Sequence, residues 1–204
     1  MNPLRALIFV AASILPSALT AHEFPGAHGV DPDQSVVYFT VLYTLQMPLP
    51  LVLVTAGLLL GLNRTVDITH AWLSLMLGIL VGVLAYLVFA IYVRPVVPLL
   101  LLTILFALWS ASGLRVPWPI AILLTTITGF FVGMYFTPVP VPWLVPNHAI
   151  IGAMIGASIG ILGSYLIVVL VTDRWNFAWI GIAFRVLAAW IGAIATLVAA
   201  LSFR

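Results

Sequence analysis

Few side chains in this 204-residue sequence can carry charge or hold a transition metal: seven basic residues, five acidic residues and four histidines. Every basic residue is arginine, and cysteine is absent, so disulfides, thiolate metal sites, Fe–S clusters and cysteine nucleophiles are excluded. Imidazole, carboxylate, backbone carbonyl and thioether remain as ligands. The richest stretch is TAHEFPGAHGVD, Thr20–Asp31, which gathers His22, Glu23, His28 and Asp31. Were the chain cut after Ala21, the new amine and the imidazole of His22 would chelate one copper ion, with His28 as a further ligand. His70 and His148 stand singly at the starts of two apolar runs. These four histidines are the candidate metal ligands. Arg185, inside WIGIAFRVLAAWIGAIATL, is the candidate polar residue within the membrane. A guanidinium at that depth must snorkel, pair or line a polar cavity, because leaving it in hydrocarbon costs at least a few kcal/mol.

The elements that position these groups are set by composition. Hydrophobic residues make up 64% of the chain and charged residues 6%, with a mean hydropathy of +1.28. A soluble domain carries roughly 25% charged residues, so the solvent of this chain is a lipid bilayer. A formal charge of +2 gives no basic surface for nucleic acid, which is excluded as a partner. Neither HExxH nor a phosphate-cradling GxxxxGK occurs, and no carboxylate pair falls within an apolar run, so the expectation is a protein that is not an enzyme.

The chain opens with Arg5, a short apolar segment ALIFVAASIL and then PSALTAHE. This is the order of a signal peptide, and the segment is too short to span a bilayer by itself. The expected organisation is a signal peptide or signal anchor over residues 1–21 and one membrane domain over 22–204. Cleavage after Thr20 is the competing position, since it places Ala18 where a small residue is favoured.

Six further apolar runs predict an all-α fold, a polytopic bundle of six transmembrane helices. They cover about Val36–Leu62, Ile68–Tyr92, Pro95–Ser112, Pro119–Phe136, His148–Val171 and Phe177–Leu201. Pro48 and Pro50 are expected to kink the first or delay it to Leu51. Asp67 and Asn147 are placed to cap the second and fifth. With the signal-like start exported, His22 to Gln34 lie outside, the loops with Arg64, Arg115 and Arg174 lie inside, and Arg94 and Arg204 return outside. Trp118, Trp143, Trp175 and Trp179 fall at span ends, at headgroup depth.

Glycines recur four residues apart: Gly57 and Gly61, Gly78 and Gly82, Gly129 and Gly133, then Gly152, Gly156 and Gly160. That spacing puts each set on one helical face and lets backbones approach closely. Gly-bearing spans in both halves raise the idea of a three-plus-three repeat, although the third and sixth spans do not visibly match.

The signal-like start followed by His22, the segment MPLPLVLVTAGLLLGL from Met47 to Leu62, and FRVLAAWIGAIATLVAAL from Phe184 to Leu201 resemble the HupE/UreJ family of small bacterial membrane proteins. The resemblance implies a multi-pass protein of the bacterial inner membrane and a permease for nickel or a related divalent metal. Its His-Pro and Asp-His pattern near an early span has no counterpart here. The alternative expectation is a non-catalytic accessory or structural subunit, packed into a larger membrane complex or a homo-oligomer through its glycine faces.

Overall fold

Apolar segments of this length offer the backbone no water, so N–H and C=O groups must pair within the segment, as they do in a helix. The computed structural model describes residues 47–64, 67–89, 95–135, 147–175 and 177–202, and the regular secondary structure among them is entirely α-helical. The helices are α1 Leu49–Leu62, α2 Ile68–Phe89, α3 Val96–Ser112, α4 Trp118–Tyr135, α5 Asn147–Arg174 and α6 Ala178–Ser202. The described residues all fall in the unit Ser35–Arg204. The signal-like segment, His22, His28 and the start of the first expected span lie outside the described residues.

Four stretches are long and apolar enough to cross a membrane: Ile68–Tyr86, Trp118–Tyr135, Ile150–Arg174 and Trp179–Ser202. The helices α1 and α3, of 14 and 17 residues, are apolar but shorter. At 1.5 Å per residue α1 is about 21 Å long, against about 30 Å of hydrocarbon.

Local chemistry explains the helix ends. A turn at Met47–Pro48 precedes α1, and Pro50 sits in its first turn, where a missing N–H costs no helical bond. The helix therefore starts at Leu49, two residues before the position expected from the prolines. Past its other end, Asn63 Nδ2 donates to the Leu59 carbonyl at 3.0 Å. Asp67 caps α2 as its sequence position suggests, its Oδ1 accepting from the Thr69 N–H at 2.9 Å. Gly113 closes α3 with φ +68°, a left-handed cap that glycine adopts without a Cβ penalty.

The most extensive contacts join α2 to α4, α3 to α6, α1 to α5 and α1 to α3. The short α1 is central, touching α3, α4, α5 and α6, and from Val52 to Gly61 every residue except Val54 is buried. The outer faces are apolar: Leu73, Leu77, Leu80 and Leu84 follow helical spacing on α2 and are 50–59% exposed. A continuous outward face of this kind is suited to lipid.

Candidate functional site

Among the described residues the charged groups collect at one end. Arg64 follows α1, Asp67 precedes α2, Arg115 lies between α3 and α4, and Asp173 and Arg174 end α5. Because successive helices alternate in direction, these positions share the end where α1, α3 and α5 finish. Arg64 donates to Asp173 Oδ1 at 2.5 Å and to Thr172 Oγ1 at 2.7 Å, tying α1 to α5. Both partners of that ion pair are about half exposed, so it contributes at most about 1 kcal/mol.

Arg185 reaches the same end from two turns inside α6. Its guanidinium lies against Gly113, where a β-carbon would come within 2.7 Å of Cζ and Nη1. That places the cation at the C-terminus of α3, at the negative end of the helix dipole. Gly113 is thus required twice, by its backbone angle and by the side chain lying over it. Trp118, Trp175 and Trp179 are exposed at this end, where amphipathic rings mark headgroup depth.

The candidate metal ligands do not converge among the described residues. His70 is exposed, with Nδ1 3.2 Å from Asp67 Oδ2. The Asp67 carboxyl is held below its ordinary value of 3.8 first by the backbone N–H of Thr69, with further lowering from the Thr69 side chain and His70. His148 is the second residue of α5, at the end of the bundle opposite His70. No group of three or more His, Cys, Asp or Glu among the described residues could hold a metal ion.

Small residues bring the helices together closely. A β-carbon on Gly78 would lie 2.2 Å from the Thr126 carbonyl oxygen, and one on Gly82 would lie 2.1 Å from that of Phe130. Reciprocally, Gly129 and Gly133 face the carbonyls of Leu75 and Ile79, each at 2.2 Å. Residue numbers rise together across this interface, so α2 and α4 run parallel. The same holds for α1 and α5, where Gly57 meets Ile161 and Ser164, Gly61 meets Tyr165 and Val168, and Gly160 meets Leu53. Gly152 and Gly156 are buried as well.

The polar residues of the interior are Ser, Thr, Trp, Asn and Tyr side chains in or beside apolar runs, and nothing in their spacing signals which of them pair across helices. Ser74 and Thr125 hydroxyls meet at 2.6 Å between α2 and α4, both buried. Trp72 Nε1 donates to Ser158 Oγ at 2.9 Å between α2 and α5, and Ser158 donates to the Met154 carbonyl at 2.7 Å. Asn63 Oδ1 accepts from the Val116 N–H at 3.1 Å, and Tyr135 Oη donates to the Met47 carbonyl at 2.8 Å. Ser158 also stands in Gly156–Gly160, which matches G-x-S-x-G in letters. It lies in the middle of a helix, not at the strained strand-to-helix turn that exposes a nucleophile, and its hydrogen bonds among the described residues are to Trp72, Met76 and Met154. Two buried polar atoms of α3, Trp109 Nε1 and Ser110 Oγ, have no hydrogen-bond partner among the described residues.

Comparison with protein-family models, with curated proteins and with solved structures returns no match.

Proposed function

We propose that this chain is a small multispan permease of the bacterial inner membrane, with the charged end of the bundle facing the cytoplasm. Nickel or a related divalent metal is the cargo that the resemblance to the HupE/UreJ family implies. The observation that carries a permease reading is where α1 begins. A central helix of about 21 Å starts at a buried Leu49, after a turn at Met47–Pro48. Non-helical backbone at membrane depth is tolerated where protein buries it or where it lines a path, and short, Pro-interrupted segments are the usual marks of transporter sites. Tyr135 donates to one carbonyl of that turn, Met47. In this reading His22 and His28 collect the ion outside, and His148 and His70 stand at opposite entrances.

The test is uptake of Ni²⁺ into vesicles containing the purified protein, with His22, His28, His70 and His148 replaced singly and together. Protein-dependent, saturable flux that falls with the replacements supports the reading. Flux equal to that of empty vesicles refutes it.

A second reading, an accessory subunit of a larger membrane complex, draws on Gly163. Among the described residues a β-carbon there would meet nothing within 4 Å, so this helical glycine serves no close contact with them. Native purification in mild detergent separates the two: a stable heteromeric assembly favours the subunit, and a chain alone or self-associated favours the permease.

A further inference from the structure

The two glycine-packed pairs, α1 with α5 and α4 with α2, superpose residue by residue. Matching Gly57 to Gly129, and the carbonyls they approach, Ile161 to Leu75, fixes two registers: one carries α1 into α4, the other α2 into α5. Gly61 against the Tyr165 carbonyl then becomes Gly133 against the Ile79 carbonyl. Leu53 against Gly160 becomes Thr125 against Ser74, which are hydrogen-bonded. Gly57 against Ser164 becomes Gly129 against Gly78, and Leu58 beside Val168 becomes Phe130 beside Gly82.

Those matches follow from one shared pair geometry, but three others do not. Trp72 and Ser158 are each other's counterparts, and they bond to each other. Asn63 and Tyr135 are counterparts too. Asn63, past α1, binds backbone ahead of α4, while Tyr135, closing α4, binds backbone ahead of α1. In the third pair, Ala107 of α3 touches Gly192 of α6, and taking these as counterparts sets the last register. It sends Leu100, packed with Val198, onto Arg185, packed on Gly113. It also sends buried Thr103 and Ser110 onto buried Ala188 and Ala195.

Counterpart helices run in opposite directions, so the halves are inverted. Their pseudo-twofold axis passes the Trp72–Ser158 and Ala107–Gly192 contacts, across the helices. The symmetry breaks most strongly at one place. Helix α1 packs along α3, whereas α4 makes no comparable contact with α6. Leu51 of α1, with Val96 and Ile104 of α3, packs against the cluster that holds Leu100. Its counterpart Leu123 is 58% exposed, Ala189 opposite Ile104 is exposed, and Gly181 opposite Val96 has open space where a β-carbon would be.

We infer that the chain is an inverted repeat, α1–α3 and α4–α6, and that it exchanges the α1–α3 contact for an α4–α6 contact, with Leu123 seating over Gly181 and Ala189. Because the axis lies across the helices, this exchange turns the same interior toward the opposite face of the membrane, which is alternating access. The inference rests on the permease reading and specifies how such a permease moves.

The cysteine-free chain allows a direct test in native membranes. Full-length L51C/I104C reports the packing described above, and L123C/A189C reports its exchanged counterpart. Both pairs are expected to react with a short bifunctional thiol reagent, and spin labels at Leu123 and Ala189 should give two distance populations. L123C/A189C that stays uncross-linked while each cysteine alone accepts maleimide, with a single long spin-label distance, overturns the exchange. Both substituted positions are exposed, so the pair leaves the packed interior intact. Vesicle flux without exchange would leave a static channel and reject this inference alone; exchange without flux of any divalent metal would reject the metal reading and keep the exchange.

Discussion

The indole Nε1 of Trp72 and the hydroxyl of Ser158 lie 2.9 Å apart and join α2 to α5, helices that otherwise have few contacts with each other. Trp72→Phe keeps the ring and removes the donor. The expected loss is about 1 kcal/mol, the net worth of one such bond, read by thermal unfolding in detergent. Ser158 retains its bond to the Met154 carbonyl, so no buried hydroxyl is stranded.

The parallel α2–α4 interface should tolerate no side chain at its glycines. Gly78→Val and Gly133→Leu put carbon atoms where backbone oxygens already lie, and are expected to destabilise by about 2–3 kcal/mol or to prevent assembly. Gly163→Ala is the contrasting case. With open space beside it, that change should stabilise by up to about 1 kcal/mol through helix propensity. Equal effects at all three positions would show that the close approach is absent.

Gly113 and Arg185 should behave as a coupled pair. Gly113→Ala meets both a left-handed backbone angle and the guanidinium, so a loss of about 2 kcal/mol is expected. Arg185→Ala removes the second obstacle, and the double variant should be less damaged than the sum of the single ones, a non-additivity that a double-mutant cycle measures.

Asp67 carries a pH dependence of defined sign. Its folded-state pKa is depressed by the Thr69 N–H, so its charged form supports the folded state fully above the ordinary value of 3.8 and progressively less as pH falls below it. Asp67→Asn keeps a capping side chain and removes the charge. The melting temperatures of the two proteins should differ at neutral pH and converge in acid, below about pH 4. A gap that persists in acid would mean the carboxylate is not the source.

The fold was largely legible because hydrocarbon leaves the backbone few choices. Six apolar runs gave six helices, and the expected bounds at Leu62, Ile68, Ser112 and Pro119 fall within a residue of those observed, while Val36, Tyr92 and Phe136 lie outside the described residues. What sequence could not supply was partnership. Gly78 and Gly133 announce a close contact, yet nothing in their spacing says that α2 meets α4 while α1 meets α5. The likeness of α3 and α6 is hidden for a related reason: Ala107 against Gly192, and Ser110 against Ala195, agree in burial and size while differing in identity. Arg185 read as a cation at depth, but its long stem brings the charge to Gly113, three-dimensional reach that spacing does not encode. The histidines were conspicuous as letters, and the two with described positions, His70 and His148, begin helices at opposite ends.

Uptake of radiolabelled Ni²⁺ by vesicles containing the L51C/I104C protein, compared before cross-linking, after cross-linking with a cleavable reagent and after its reduction, bears most directly on the permease claim. Saturable uptake above empty vesicles, lost on cross-linking and restored by reduction, is the expected result. Uptake equal to empty vesicles from correctly inserted, folded protein in all three conditions would contradict it.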